Sequence, residues 1–171
     1  MEQASEHPFP GLKDHYRVAA GLGFPAFIGS IDDSTPINAT PYVVGLEDFL
    51  SESLPAPKRA LRDALSAALK QLPEIGLQAE IVLIGGSFLQ LDATPRDLDC
   101  VVFYSRPGEI GGDLASWQAR QHAHGLDLRL IPIEMDPVMV LKTALFFGAL
   151  YGIGRGESKT LRGLLLVDCS K

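Results

Sequence analysis

Between residues 57 and 73 the chain reads PKRALRDALSAALKQLP, with Leu61, Leu65, Leu69 and Leu72 recurring at helical spacing beside Ala64 and Ala68 and the charges on the opposite side. That pattern predicts an amphipathic helix, and a shorter one precedes it at LEDFLSES, residues 46–53. The period then changes. IVLIGG, residues 81–86, is a β-branched and leucine-rich run closed by glycines, which predicts a strand, and DLDCVVFY, residues 97–104, predicts a second.

Further along, Asp113 is placed to cap a helix LASWQARQHAH that ends at Gly125, where a left-handed residue is least costly. LDLRLIPI, residues 126–133, reads as a third strand. Asp136 and Pro137 form a cap and first-turn pair for an apolar helix running to about Tyr151, expected to be buried, and GLLLVD, residues 163–168, reads as a last strand. Ahead of all this, residues 1–42 hold five of the twelve prolines and no sustained period. They are expected to form an irregular N-terminal segment packed on a domain spanning residues 43–171. Strands that are partly adjacent in sequence and partly separated by helices predict an α+β fold, a mixed β-sheet flanked by helices.

A length of 171 residues suits one domain with a real core. The formal charge of −6 argues against a broad basic surface that would grip nucleic acid through its phosphates, while leaving room for a local basic pocket. Cys100 and Cys169 form no metal or disulfide pattern and read as reduced thiols. The opening MEQASEHPFP is acidic and polar where a signal peptide is basic and then apolar, and residues 137–154 fall short of a membrane span and contain Lys142. A cytoplasmic location with no membrane partner is the expectation.

The chemistry concentrates in IGGSFLQLDATPRDLDCVVF, residues 84–103. Gly85, Gly86 and Ser87 follow a strand directly, where absent side chains let backbone N–H groups approach an anion and a serine hydroxyl can donate to it. Asp97 and Asp99 are two apart on a predicted strand, so both side chains leave the same face. Carboxylates held that close resist ionising together unless they share a cation, and hard oxygen donors suit magnesium or manganese. Asp127, on another strand, completes a triad if the two strands are neighbours, and Arg129 on its face offsets charge or touches phosphate.

The bland alternatives stay open at this stage. Asp97 and Asp99 also fit a solvated strand end, Asp127 an exposed position paired with Arg129, Ser87 a helix cap, and Arg96 either a phosphate contact or a surface ion pair. His122 and His124 suit the end of a helix. Arg155, Lys159 and Arg162 form a basic cluster that faces either a triphosphate or solvent. Trp117 with Phe146, Phe147 and Tyr151 reads as core or as a subunit contact in a homo-oligomer, with base stacking as the alternative.

GGS, DLD and LDL together resemble the nucleotidyltransferase superfamily typified by DNA polymerase beta, whose pattern is Gly-Gly or Gly-Ser, about ten residues, Asp-x-Asp, then a carboxylate on a neighbouring strand. The similarity covers residues 57–168 and is nearest to small stand-alone nucleotidyltransferase-like proteins. It implies a nucleotidyltransferase-like fold. Gly85, Gly86, Ser87 and Arg96 would bind the nucleotide, and Asp97, Asp99 and Asp127 would be the catalytic carboxylates holding magnesium or manganese. The implied activity moves a nucleoside monophosphate from a nucleoside triphosphate to a hydroxyl of RNA, protein or a small molecule. Many active relatives carry an added helical domain that binds the acceptor, and little of these 171 residues is left for one. The alternative is therefore a non-catalytic nucleotide- or partner-binding module, such as one half of a toxin–antitoxin system.

Overall fold

The computed structural model describes residues 11–109, 111–153 and 161–170. The leucine stripe forms the buried side of helix α3, Ala56–Gln71, where Leu61, Leu65, Ala68 and Leu69 pack inward. Leu72 continues the stripe into a single 3-10 turn, and Gly76, at φ +81°, turns the chain into the sheet. Strand β1 is Tyr42–Gly45, β2 Gln78–Ile84, β3 Leu98–Ser105, β4 Leu126–Pro132 and β5 Leu165–Asp168. They form one sheet in the order β1-β5-β2-β3-β4. Pairs β1/β5 and β3/β4 are parallel, while β5/β2 and β2/β3 are antiparallel, so the fold is α+β with a mixed sheet.

Both faces of the sheet are covered, and this accounts for the absence of polar alternation in CVVFY. One face carries Val82, Ile84, Leu98, Cys100, Val102 and Leu126 into the main core under α3. Helix α4, Leu114–Ala123, closes the same side. Its Trp117 is buried, with Nε1 donating to Gln71 Oε1 at 3.1 Å. The other face carries Leu83, Val101 and Phe103, which pack with Val140, Ala144, Phe147 and Tyr151 of helix α5, Pro137–Gly152.

Three features depart from the sequence reading. Residues Leu12–Gly21 form helix α1, which buries Leu12, Tyr16 and Ala19 and lies against β1, so residues 1–42 are not irregular throughout. Its apolar signal, one leucine, one tyrosine, one valine and two alanines among charged residues, is too thin to stand out. From Gly23 to Pro41 the described chain does lack regular strands, apart from one 3-10 turn and isolated bridges. Strand β1 itself is only four residues long and runs directly into helix α2, Leu46–Ser51.

The third departure concerns α5, which is not enclosed. Val138, Leu141, Leu145, Phe146 and Leu150 are each more than half exposed. At 100° per residue they share one half of the helix circumference, opposite Val140, Ala144, Phe147 and Tyr151. The sheet therefore covers one side of a largely apolar helix. Among the described residues, no helix is long and apolar enough to cross a membrane.

Candidate functional site

Register decides the site. Leu98 pairs with Leu126 across the parallel β3/β4 ladder, and both leucines are buried in the main core. Alternation then sends the next pair, Asp99 and Asp127, to the α5 side of the sheet, directly beside one another. Two carboxylates from distant parts of the sequence so become immediate neighbours. Both are partly buried, and Arg129, two residues along the same face, places a guanidinium nitrogen 3.1 Å from Asp127.

Asp97 stands one residue before β3 begins and is exposed, as is Arg96. Among the described residues, no group of three or more histidine, cysteine, aspartate or glutamate side chains is placed to hold a metal ion. What the fold brings together is the pair Asp99 and Asp127, with Asp97 at the head of the strand. Two adjacent carboxylates are hard oxygen donors that could hold one divalent ion. They do not by themselves make the three-carboxylate cradle of a two-ion site.

The Gly-Gly-Ser turn closes the site from the end of β2. Gly85 continues the ladder, its N–H donating to the Asp99 carbonyl at 3.2 Å. A methyl group on Gly85 would stand 2.4 Å from Tyr151 Cβ, so the glycine is where α5 settles onto the sheet. Gly86 adopts φ +71°, and a methyl there would stand 2.1 Å from Asp99 Oδ2. Each glycine thus has a cause within the chain: the first admits Tyr151, and the second admits the Asp99 carboxylate and makes a left-handed turn. Ser87 is half-buried in the one-turn 3-10 segment Gly86–Leu89, anchored by Phe88 and Leu89 in the main core.

The electrostatics agree with this placement. Burial, then the charges of Asp127 and Asp99, push the Cys100 thiol well above its ordinary pKa. The Tyr151 hydroxyl is raised in the same way, by burial first and then by Cys100, Asp99 and Asp127, with Arg129 acting against them. Tyr151 is 7% exposed, and its hydroxyl has no hydrogen-bond partner among the described residues. The sequence reading placed Tyr151 in the core or a subunit contact, because a tyrosine closing an apolar helix carries little signal for a site.

Of the other candidates, His122 and His124 are exposed at the end of α4. Arg155 and Lys159 lie outside the described residues, while Arg162 is half-buried near β5. A cavity of about 340 Å³ lies on the opposite side of the sheet, lined by Phe24, Phe49, Phe88, Leu91 and Lys58 among others, and is separate from the carboxylates. A family of unknown function (DUF6932) matches residues 30–165. No curated protein and no solved structure matches the chain.

Proposed function

We propose that this chain, which belongs to the family of unknown function DUF6932, binds a nucleoside triphosphate with magnesium at the Asp99–Asp127 pair and transfers its nucleoside monophosphate to a hydroxyl acceptor. The observation that carries the reading is the parallel register of Asp99 with Asp127, facing the Gly86 turn. Asp99 and Asp127 would hold the ion, with Asp97 at the mouth. The ion would neutralise the charge that develops on the phosphates.

The chain's own groups account for the rest. The turn at Gly86 and Ser87 offers backbone N–H groups and a hydroxyl to phosphate oxygens, and Arg129 balances the local negative charge. Helix α5 covers the inner part of this face and limits water there. In the transfer, the acceptor oxygen bonds to the α-phosphorus, the bond from that phosphorus to the bridging oxygen breaks, pyrophosphate leaves, and the acceptor proton passes to a base. Positioning and charge neutralisation suffice, with no covalent intermediate on the protein.

Calorimetry with magnesium and each ribonucleoside triphosphate, followed by transfer assays with labelled triphosphates, tests this directly. Asp99→Asn and Asp127→Asn are expected to abolish binding or lower transfer at least 100-fold, on the order of the loss of an essential charge-stabilising group. Absence of both binding and transfer in the native chain, or full activity of Asp99→Asn, refutes it. The Asp127–Arg129 ion pair and the exposed position of Asp97 favour a second reading, a nucleotide-binding module without turnover. Tight binding with no transfer to RNA, protein or small-molecule hydroxyls would select that one.

A further inference from the structure

Among the described residues, the Tyr151 hydroxyl is the buried side-chain polar atom without a hydrogen-bond partner. A buried hydroxyl left unpaired is costly, and native interiors rarely tolerate one without a reason. Phenylalanine would fill the same space at this position without that cost, as Phe147 does one turn earlier on the same side of α5. The ring has little freedom to turn elsewhere. Its Cβ sits against Gly85, Leu164 packs in the same cluster, and the Phe147 ring lies 5.6 Å away, centroid to centroid.

The hydroxyl lies within the field of Asp99 and Asp127 yet donates to neither. A buried donor that bonds to neither carboxylate keeps one hydrogen bond unmade, which an acceptor oxygen brought by a ligand would complete. Phosphate oxygens are such acceptors, and Gly85, which meets Tyr151 Cβ, leads directly into the Gly86–Ser87 turn beside the Asp99 carboxylate. We infer that the Tyr151 hydroxyl donates a hydrogen bond to a phosphate oxygen of a nucleotide bound between the Gly86–Ser87 turn and the Asp99–Asp127 pair. The inference rests on the nucleotide reading proposed above and adds to it a ligand-contacting residue supplied by α5.

Tyr151→Phe in the full chain tests it through two readouts. In the ligand-free protein, the melting temperature is expected to stay level or rise, because no bond is lost. With magnesium and a ribonucleoside triphosphate, affinity is expected to fall about 10- to 100-fold, the effect of losing one hydrogen bond to a charged oxygen. A melting temperature lowered by roughly 2 °C or more would mean that the hydroxyl already has a partner, and overturns the inference. Unchanged affinity in Tyr151→Phe alongside lost affinity in Asp99→Asn overturns it while sparing the nucleotide reading. No triphosphate binding by the native chain sinks both.

Discussion

Gly86→Ala isolates the contact on which the site depends. The residue sits at φ +71°, where alanine is strained by about 1–2 kcal/mol. Stiffening the unfolded chain offsets about 0.4–1 kcal/mol of that. The backbone alone therefore predicts a net loss of roughly 1 kcal/mol, about 2–4 °C in melting temperature for a chain of this length. The new methyl would also stand 2.1 Å from Asp99 Oδ2, against the 3.0 Å below which such contacts essentially never occur. The carboxylate must retreat by about 1 Å, and misplacement on that scale can lower function on the order of 100-fold. The matched control is Gly21→Ala, at the end of α1, where a methyl meets nothing within 4 Å and the backbone does not require glycine. Thermal melts and triphosphate calorimetry on both variants give the comparison. If Gly86→Ala melts with the control and binds as the native chain does, the close approach of Gly86 and Asp99 is wrong.

Three further expectations concern packing and pH. Gly148→Ala, within α5 and 3.4 Å from Leu164 Cδ1, is expected to gain up to about 1 kcal/mol in urea denaturation from helix propensity, and a loss would mean that α5 lies closer to Leu164. Leu145→Glu, at a position 64% exposed, should change stability by no more than about 0.5 kcal/mol. Leu65→Ala, at 1% exposed, should cost about 2–5 kcal/mol, and equal costs for the two would contradict the orientation of α5. Burial, then Asp168 and Glu80, push the Cys169 thiol from 9.0 up to about 12. A raised folded value means that its contribution is fully present below pH 9.0 and is lost as pH rises toward about 12. Urea midpoints measured under reducing conditions should fall across that window, less steeply in Cys169→Ala; identical slopes in the two proteins would contradict it.

The strongest signals matched the described elements, since helix α3 carries a leucine stripe long enough to reveal its period and strands β2, β3 and β4 carry β-branched or leucine-rich apolar runs. Caps were equally legible. Asp113 accepts from Ser116 N, and Asp136 from Val138 N and Met139 N, because capping is a local hydrogen bond between neighbours in sequence. The short or polar elements, α1 and β1, escaped because their burial comes from contacts with distant segments. Tyr42, for instance, donates to the Pro25 carbonyl at 2.8 Å and packs near Phe24.

At the site, local chemistry marked the Gly-Gly-Ser turn and the acidic residues as unusual, and the alternation of β3 determined which side chains share a face. Neighbourhood was another matter. Whether Asp127 joined Asp99 depended on β4 lying parallel to β3 in one register, and a slip of one residue would have turned Asp127 into the main core and Leu128 toward α5. The tertiary structure also supplied the reason for each glycine, because Tyr151 and the Asp99 carboxylate occupy the space their side chains would need. Sequence alone determined which chemical groups the chain carries and the periods in which they repeat, since these are fixed by covalent order and backbone geometry. Only strand pairing and the docking of α5 decided which of those groups meet, because contacts between residues far apart in sequence arise from packing the whole sheet at once.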